Sequence, residues 1–194
     1  MGDLRGMVMR KTDKKLAVVF PGIGYHRDKP LLYYAAKLAL VKEYEIINVE
    51  YHDMPPKIKG DAVMMRKAAE IAYAQAEEKL RSVAFSACSD VLFIGKSIGT
   101  VAMAQYAAYH KIEARQVWYT PVESTFSFGV KNAVAFIGDV DPWSNIAMIK
   151  MKVSEAGIKL YSYPDCNHSL ECENVDRNIA NLREVMRITA DFIG

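Results

Sequence analysis

Asp90-Val91-Leu92-Phe93-Ile94-Gly95-Lys96-Ser97-Ile98-Gly99 is the stretch on which the fold turns. A short apolar run enters a G-x-S-x-G pentapeptide with no residue between, and a helical pattern follows over residues 97–110. A strand that passes through a sharp turn into a helix puts Ser97 at the apex with its hydroxyl exposed. Side chains two before and two after the serine would collide with the neighbouring strand or helix. Glycine at 95 and at 99 is therefore a steric requirement of such a turn.

The same alternation extends in both directions. Leu16-Ala17-Val18-Val19-Phe20 reads as a first strand, ended by Pro21-Gly22. Helical spacing over residues 30–42 precedes a second strand at 45–51. A long helix is predicted at 61–88, and a fourth strand at 116–120 stops at Pro121. Ala133-Val134-Ala135-Phe136-Ile137 is a fifth strand, ended by Gly138. A helix at 144–155, a sixth strand at 159–163 and a closing helix at 175–193 complete the pattern. Continuous apolar runs suit parallel strands buried on both faces. Strand–helix alternation then predicts an α/β protein of three layers, α/β/α, with a mostly parallel sheet of about six strands. Residues 6–10 are compatible with a short antiparallel edge strand. The length, 194 residues, suits one domain over residues 1–194.

Composition narrows the function classes. The formal charge is +2, and no Lys/Arg run is dense enough for a nucleic-acid stripe. No apolar stretch approaches a membrane span. Residues 1–15 mix charges with isolated apolar residues, so no signal peptide is expected. Cys88, Cys166 and Cys172 are too few for a disulfide framework. Cys166 and Cys172 flank His168, but C-x-H-x3-C matches no common zinc arrangement. The expectation is a cytoplasmic protein with no metal, no cofactor, and no nucleic-acid or membrane partner; its oligomeric state is left open.

Gly95-Lys96-Ser97 also ends like a phosphate-binding G-x-x-x-x-G-K-S loop. That motif needs glycine where Asp90 stands, and a flexible loop where residues 91–94 are strand-like. With phosphate binding set aside, Lys96 is expected to be a solvated side chain of the turn.

In open parallel sheets, functional residues sit in loops after the carboxyl ends of strands. Those loops are Pro21-Gly22-Ile23-Gly24-Tyr25-His26, Lys96-Ser97-Ile98, Asp139-Val140-Asp141-Pro142-Trp143 and Asp165-Cys166-Asn167-His168-Ser169. They supply a serine, two aspartates and a histidine in the chain order Ser, Asp, His. A serine hydroxyl becomes a competent nucleophile only when a base takes its proton. His168 is the best placed of four histidines; His52 and His110 read as surface residues. Asp139 and Asp141 are rival partners for it.

With these motifs, from residue 16 to the closing helix, the chain resembles small lidless members of the α/β-hydrolase superfamily. Its likeness is to the dienelactone-hydrolase-like and small carboxylesterase branches. The resemblance implies an α/β-hydrolase fold without a cap domain. It also implies a serine hydrolase that cleaves a small carboxylic ester through a triad of Ser97, His168 and Asp141. The family's G-x-x-D spacing, counted from Gly138, selects Asp141 and leaves Asp139 a turn hydrogen bond. The implied oxyanion donors are the N–H of Ile98, at a helix N-terminus, and that of Ile23, with Gly24 as the alternative. Dienelactone hydrolases use cysteine where this chain has Ser97, so their substrate is not carried over.

The connection at residues 121–132 is too short for a cap, so an open site for a small acyl substrate is expected. Tyr25, His26, Phe126, Phe128 and Trp143 are its candidate walls. Packing on the sheet edge is an equal prospect for two of the four aromatic residues among them. Thioester, amide and acyl-peptide cleavage would use the same triad. An interaction protein that keeps the fold without catalysis is the alternative from another class.

Overall fold

The computed structural model describes residues 13–194. The candidate edge strand at residues 6–10 lies outside the described residues. Six parallel strands form one sheet in the order β2-β1-β3-β4-β5-β6. They are β1 (Lys15–Phe20), β2 (Tyr44–Asn48), β3 (Asp90–Lys96), β4 (Arg115–Tyr119), β5 (Ala133–Gly138) and β6 (Lys159–Tyr163). The helices are α1 (Pro30–Val41), α2 (Ala62–Leu80), α3 (Ile98–Tyr109), α4 (Ile146–Ala156) and α5 (Val175–Ile193). The chain moves outward from β1 to β2 and then crosses back to β3. The strand order therefore reverses between β1 and β3, the position at which open sheets of this kind carry their functional loops.

Alternation along the strands feeds two cores. Leu16, Val18, Phe20, Phe93 and Trp118 face the layer that holds α2, α3 and α4. Ala17, Val19, Leu92, Ile94, Val117 and Tyr119 face α1 and α5. Ala68, Ala72, Ala76 and Leu80 recur every fourth residue on the buried stripe of α2, and three small side chains let its backbone approach α3 closely. Asp61 caps α2, its carboxylate accepting from the N–H groups of Val63 and Met64 at 3.0 Å. Asn145 and Asn174 cap α4 and α5 in the same way.

Two elements are shorter than their sequence pattern. The second strand ends at Asn48, with one further ladder bond from Val49 N–H to Val19 O, because β1 stops at Pro21 and offers no more edge. The second helix ends at Leu80 rather than near residue 88. A 3₁₀ turn, Phe85–Ala87, follows and turns Phe85 inward against Phe93 and Tyr106. The connection at 121–132 holds a 3₁₀ helix, Glu123–Phe128, and no cap. Among the described residues, no helix is long and apolar enough to cross a membrane.

Candidate active site

The turn after β3 forces Ser97 into φ 55° and ψ −122°, a region that non-glycine residues avoid. Neighbours hold it there. Ser97 N–H donates to Tyr119 O at 3.0 Å. Thr100 Oγ1 donates to Ser97 O at 2.6 Å, which leaves it to accept from Thr125 Oγ1 at 2.6 Å. A Cβ on Gly99 would lie 2.3 Å from Phe20 O and 2.4 Å from Pro21 O, so α3 crosses the end of β1 only because residue 99 is glycine. A Cβ on Gly95 would meet Met103 Sδ at 2.5 Å.

The loops after β5 and β6 close on this serine. His168 Nε2 is 2.7 Å from Ser97 Oγ, and His168 Nδ1 is 2.7 Å from Asp141 Oδ2. An ionised Asp141 only accepts, so Nδ1 carries the proton and Nε2 is free to accept from the serine hydroxyl. The other Asp141 oxygen accepts from Trp143 N–H at 2.9 Å. The Trp143 ring stacks on His168 with centroids 5.5 Å apart. Asp139 does not reach the histidine; its carboxylate accepts from Asp165 N–H at 2.6 Å and ties the β5 loop to the β6 loop. Burial holds the His168 imidazole below the usual histidine value of 6.5. The Asp141 hydrogen bond opposes this, while the Lys96 and Lys59 charges push further down. His168 is therefore neutral at neutral pH, as a proton acceptor must be.

The loop after β1 lies against the elbow. A Cβ on Gly22 would sit 3.3 Å from Lys96 O and 3.4 Å from Ser97 Cβ. Reciprocal bonds between Gly22 and Tyr25, at 3.1 and 3.2 Å, close a tight turn with Ile23 and Gly24 at its tip. Gly24 has φ 72°, which favours glycine there. Ile98 opens α3, where an N–H has no acceptor within its own helix.

The expected walls divide. A groove of about 620 Å³ runs between the start of α2, α3 and the 3₁₀ helix, lined by Met65, Val101, Tyr109, Phe128 and Trp143 among others. Trp143 joins it to His168. Phe126 instead packs edge-on against Trp118, 5.3 Å between centroids, as part of the core. Tyr25 is buried on the far side of the elbow, its hydroxyl accepting from Leu31 N–H at 3.1 Å. His26 is exposed beside Asp28 and lines a separate hollow with Arg27 and His52. Of the candidate walls, Phe128 and Trp143 line this groove, whereas Tyr25, His26 and Phe126 do not.

Lys96 departs from its expected place. It is 1 % exposed, not solvated. Its Nζ stands 5.0 Å from the centroid of the Tyr25 ring. Burial pushes its ammonium down to about 7, with the Asp141 charge opposing. The signal was available in the strand period: Leu92, Ile94 and Lys96 share one face of β3, and the first two are core residues.

No family model matches the chain, and no curated protein matches it by sequence. Many solved structures do match in shape. An esterase from Pyrococcus furiosus is 12% identical, with a TM-score of 0.64 over 94% of this chain and 84% of its own. An alpha-beta serine hydrolase homologue from Coxiella burnetii is 14% identical, with a TM-score of 0.62 over 96% and 86%. A serine hydrolase without a lid from Xanthomonas campestris is 13% identical, with a TM-score of 0.59 over 91% and 81%. The chain has the α/β-hydrolase fold, in its lidless form.

Proposed function

We propose that this protein is a serine hydrolase that cleaves carboxylic esters of small molecules through an acyl-enzyme on Ser97. The observation that carries the reading is the continuous pair of 2.7 Å contacts from Asp141 through His168 to Ser97 Oγ. His168 Nε2 takes the hydroxyl proton as Ser97 Oγ attacks the ester carbonyl carbon. Asp141 stabilises the imidazolium that forms. The tetrahedral oxyanion is received by the N–H of Ile98 and by that of Ile23 or Gly24, each such donor worth about 2.7–4 kcal/mol in the transition state. The imidazolium then gives its proton to the leaving alkoxide. A water molecule, deprotonated by the same nitrogen, returns the acid and regenerates Ser97.

The groove beyond Trp143 suits an apolar part of the ester, because Met65, Val101, Tyr109 and Phe128 line it. Among the described residues no cap stands over the site, which suits direct entry of a small substrate. The esterase of similar fold from Pyrococcus furiosus supports the reaction class.

The test is labelling by a fluorophosphonate probe, together with hydrolysis of short p-nitrophenyl esters, thioesters and anilides. Ser97→Ala is expected to abolish both labelling and ester cleavage. Hydrolysis at the wild-type rate in that variant would refute the reading. Preference for thioesters or anilides over esters would move the substrate class and keep the nucleophile.

A further inference from the structure

Among the described residues, the buried polar side chains include two charged ones, Lys96 and Asp141. They carry opposite signs and stand at the carboxyl edge of the same sheet, one ending β3 and one in the loop after β5. Asp141 is occupied by His168 and Trp143. Lys96 takes no part in the hydrolytic steps. A lysine is seldom buried this deeply, and an ammonium out of water needs an opposite charge nearby. Its stem lies against Gly22, its Nζ over the face of Tyr25, and its immediate chain neighbour is Ser97.

We propose that Lys96 is a positioning residue for the Ser97, His168 and Asp141 unit, a cation held behind it that balances the Asp141 carboxylate and keeps the imidazole unprotonated between turnovers. The inference rests on the triad proposed above. The charges acting on His168 come from three elements. Asp141, in the loop after β5, favours the imidazolium; Lys96, at the end of β3, and Lys59, in the loop before α2, oppose it. Lys59 Nζ lies outside, 5.8 Å from the Trp143 ring centroid. The Asp141 charge favours the Lys96 ammonium, and the Lys96 Nζ stands over the Tyr25 ring. Burial lowers both groups, the Lys96 ammonium to about 7 and the His168 imidazole from the usual 6.5.

A lysine that only anchors the Tyr25 loop would affect folding and leave the histidine's titration where it is. The deciding measurement is therefore an NMR titration of the His168 ring in the wild type, in Lys96→Met and in Lys59→Met. Methionine keeps the length of the apolar stem and removes the charge. The His168 midpoint is expected to move to higher pH in Lys96→Met, and by less in Lys59→Met, with the acid limb of kcat/KM moving alongside. An unchanged or lowered midpoint in Lys96→Met overturns the inference. If that variant does not fold, lysine carrying 13C at Cε reports from the other side. In Asp141→Asn the Lys96 midpoint is expected to fall below that of the wild type, and an unchanged value overturns the inference equally. Neither titration needs a substrate. Failure to label Ser97 or to cleave esters would sink the proposed function without moving these midpoints.

Discussion

Gly138→Ala separates the contribution of space from that of backbone conformation. Gly138 ends β5 without a positive φ, so alanine there carries no conformational penalty. Space is the difficulty. A Cβ at this position would lie 2.0 Å from Cys166 O and 2.6 Å from Asn167 O. Ordinary contact begins at 3.4 Å, so the strand end and the β6 loop must part by about 1.4 Å, the difference between 3.4 and 2.0. Both obstacles are backbone atoms, which cannot swing aside as a flexible side chain would. The β6 loop carries His168, and Asp141 lies three residues beyond Gly138, so the parting acts along the 2.7 Å contact between them. A displacement of about 1 Å at a reacting group costs on the order of 100-fold in rate. Overpacking of this kind costs about 1–3 kcal/mol in stability.

Gly157→Ala is the control. It sits in the left-handed region at φ 68° with nothing within 4 Å, so alanine should cost about 1–2 kcal/mol through conformation alone. The assays are thermal melting and the rate of Ser97 labelling by a fluorophosphonate. Both variants are expected to melt lower, and only Gly138→Ala to label slowly. Labelling of Gly138→Ala at the wild-type rate would refute the argument that this glycine sets the His168 to Asp141 distance.

Ester hydrolysis should fall as the pH drops, because His168 must be neutral to take the serine proton. Burial lowers its value, so the midpoint of the acid limb of kcat/KM is expected below the ordinary histidine 6.5; a midpoint above it would contradict the buried position. Phe126 and Phe128 should behave oppositely although they are two residues apart. Phe126→Ala removes the edge-on partner of Trp118 and is expected to cost about 3 kcal/mol in chemical denaturation with KM unchanged. Phe128→Ala opens the groove and should change KM across a series of lengthening acyl chains more than it changes stability.

The sheet was legible because parallel strands buried on both faces write their burial directly as apolar runs. The six runs occur in the structure as six strands, the sixth with unchanged ends. The elbow was legible because both of its glycines answer to close neighbours, Gly99 to the backbone of Phe20 and Pro21 and Gly95 to the Met103 side chain. The end of the second helix was not. Residues 81–84 are Arg-Ser-Val-Ala, with neither proline nor glycine to mark a stop. The helix ends there because the chain must return to β3 and because Phe85 is drawn onto Phe93, a tertiary demand that local pattern does not record. The choice between Asp139 and Asp141 likewise needed more than spacing. It turns on the gap between two loops, which Gly138 keeps small enough for Asp139 to bridge to Asp165 and for Asp141 to pass on to His168.

Phe126 and Lys96 are both placed by the sheet rather than by residue type. An aromatic residue in a loop near a site and a lysine in a turn both invite a reading by residue type. Position outweighs type in each case. Phe126 faces the sheet, where Trp118 supplies a partner that solvent does not. Lys96 is the last residue of β3, and the strand's two-residue period had already assigned its side to the core through Leu92 and Ile94. The strand cannot turn that side chain outward without moving Ser97, because one residue of slip exchanges the two faces. The serine's place at the apex and the lysine's burial are thus one geometric fact. A chain that places a serine at this apex must also choose what precedes it on the buried side, and here it is a lysine.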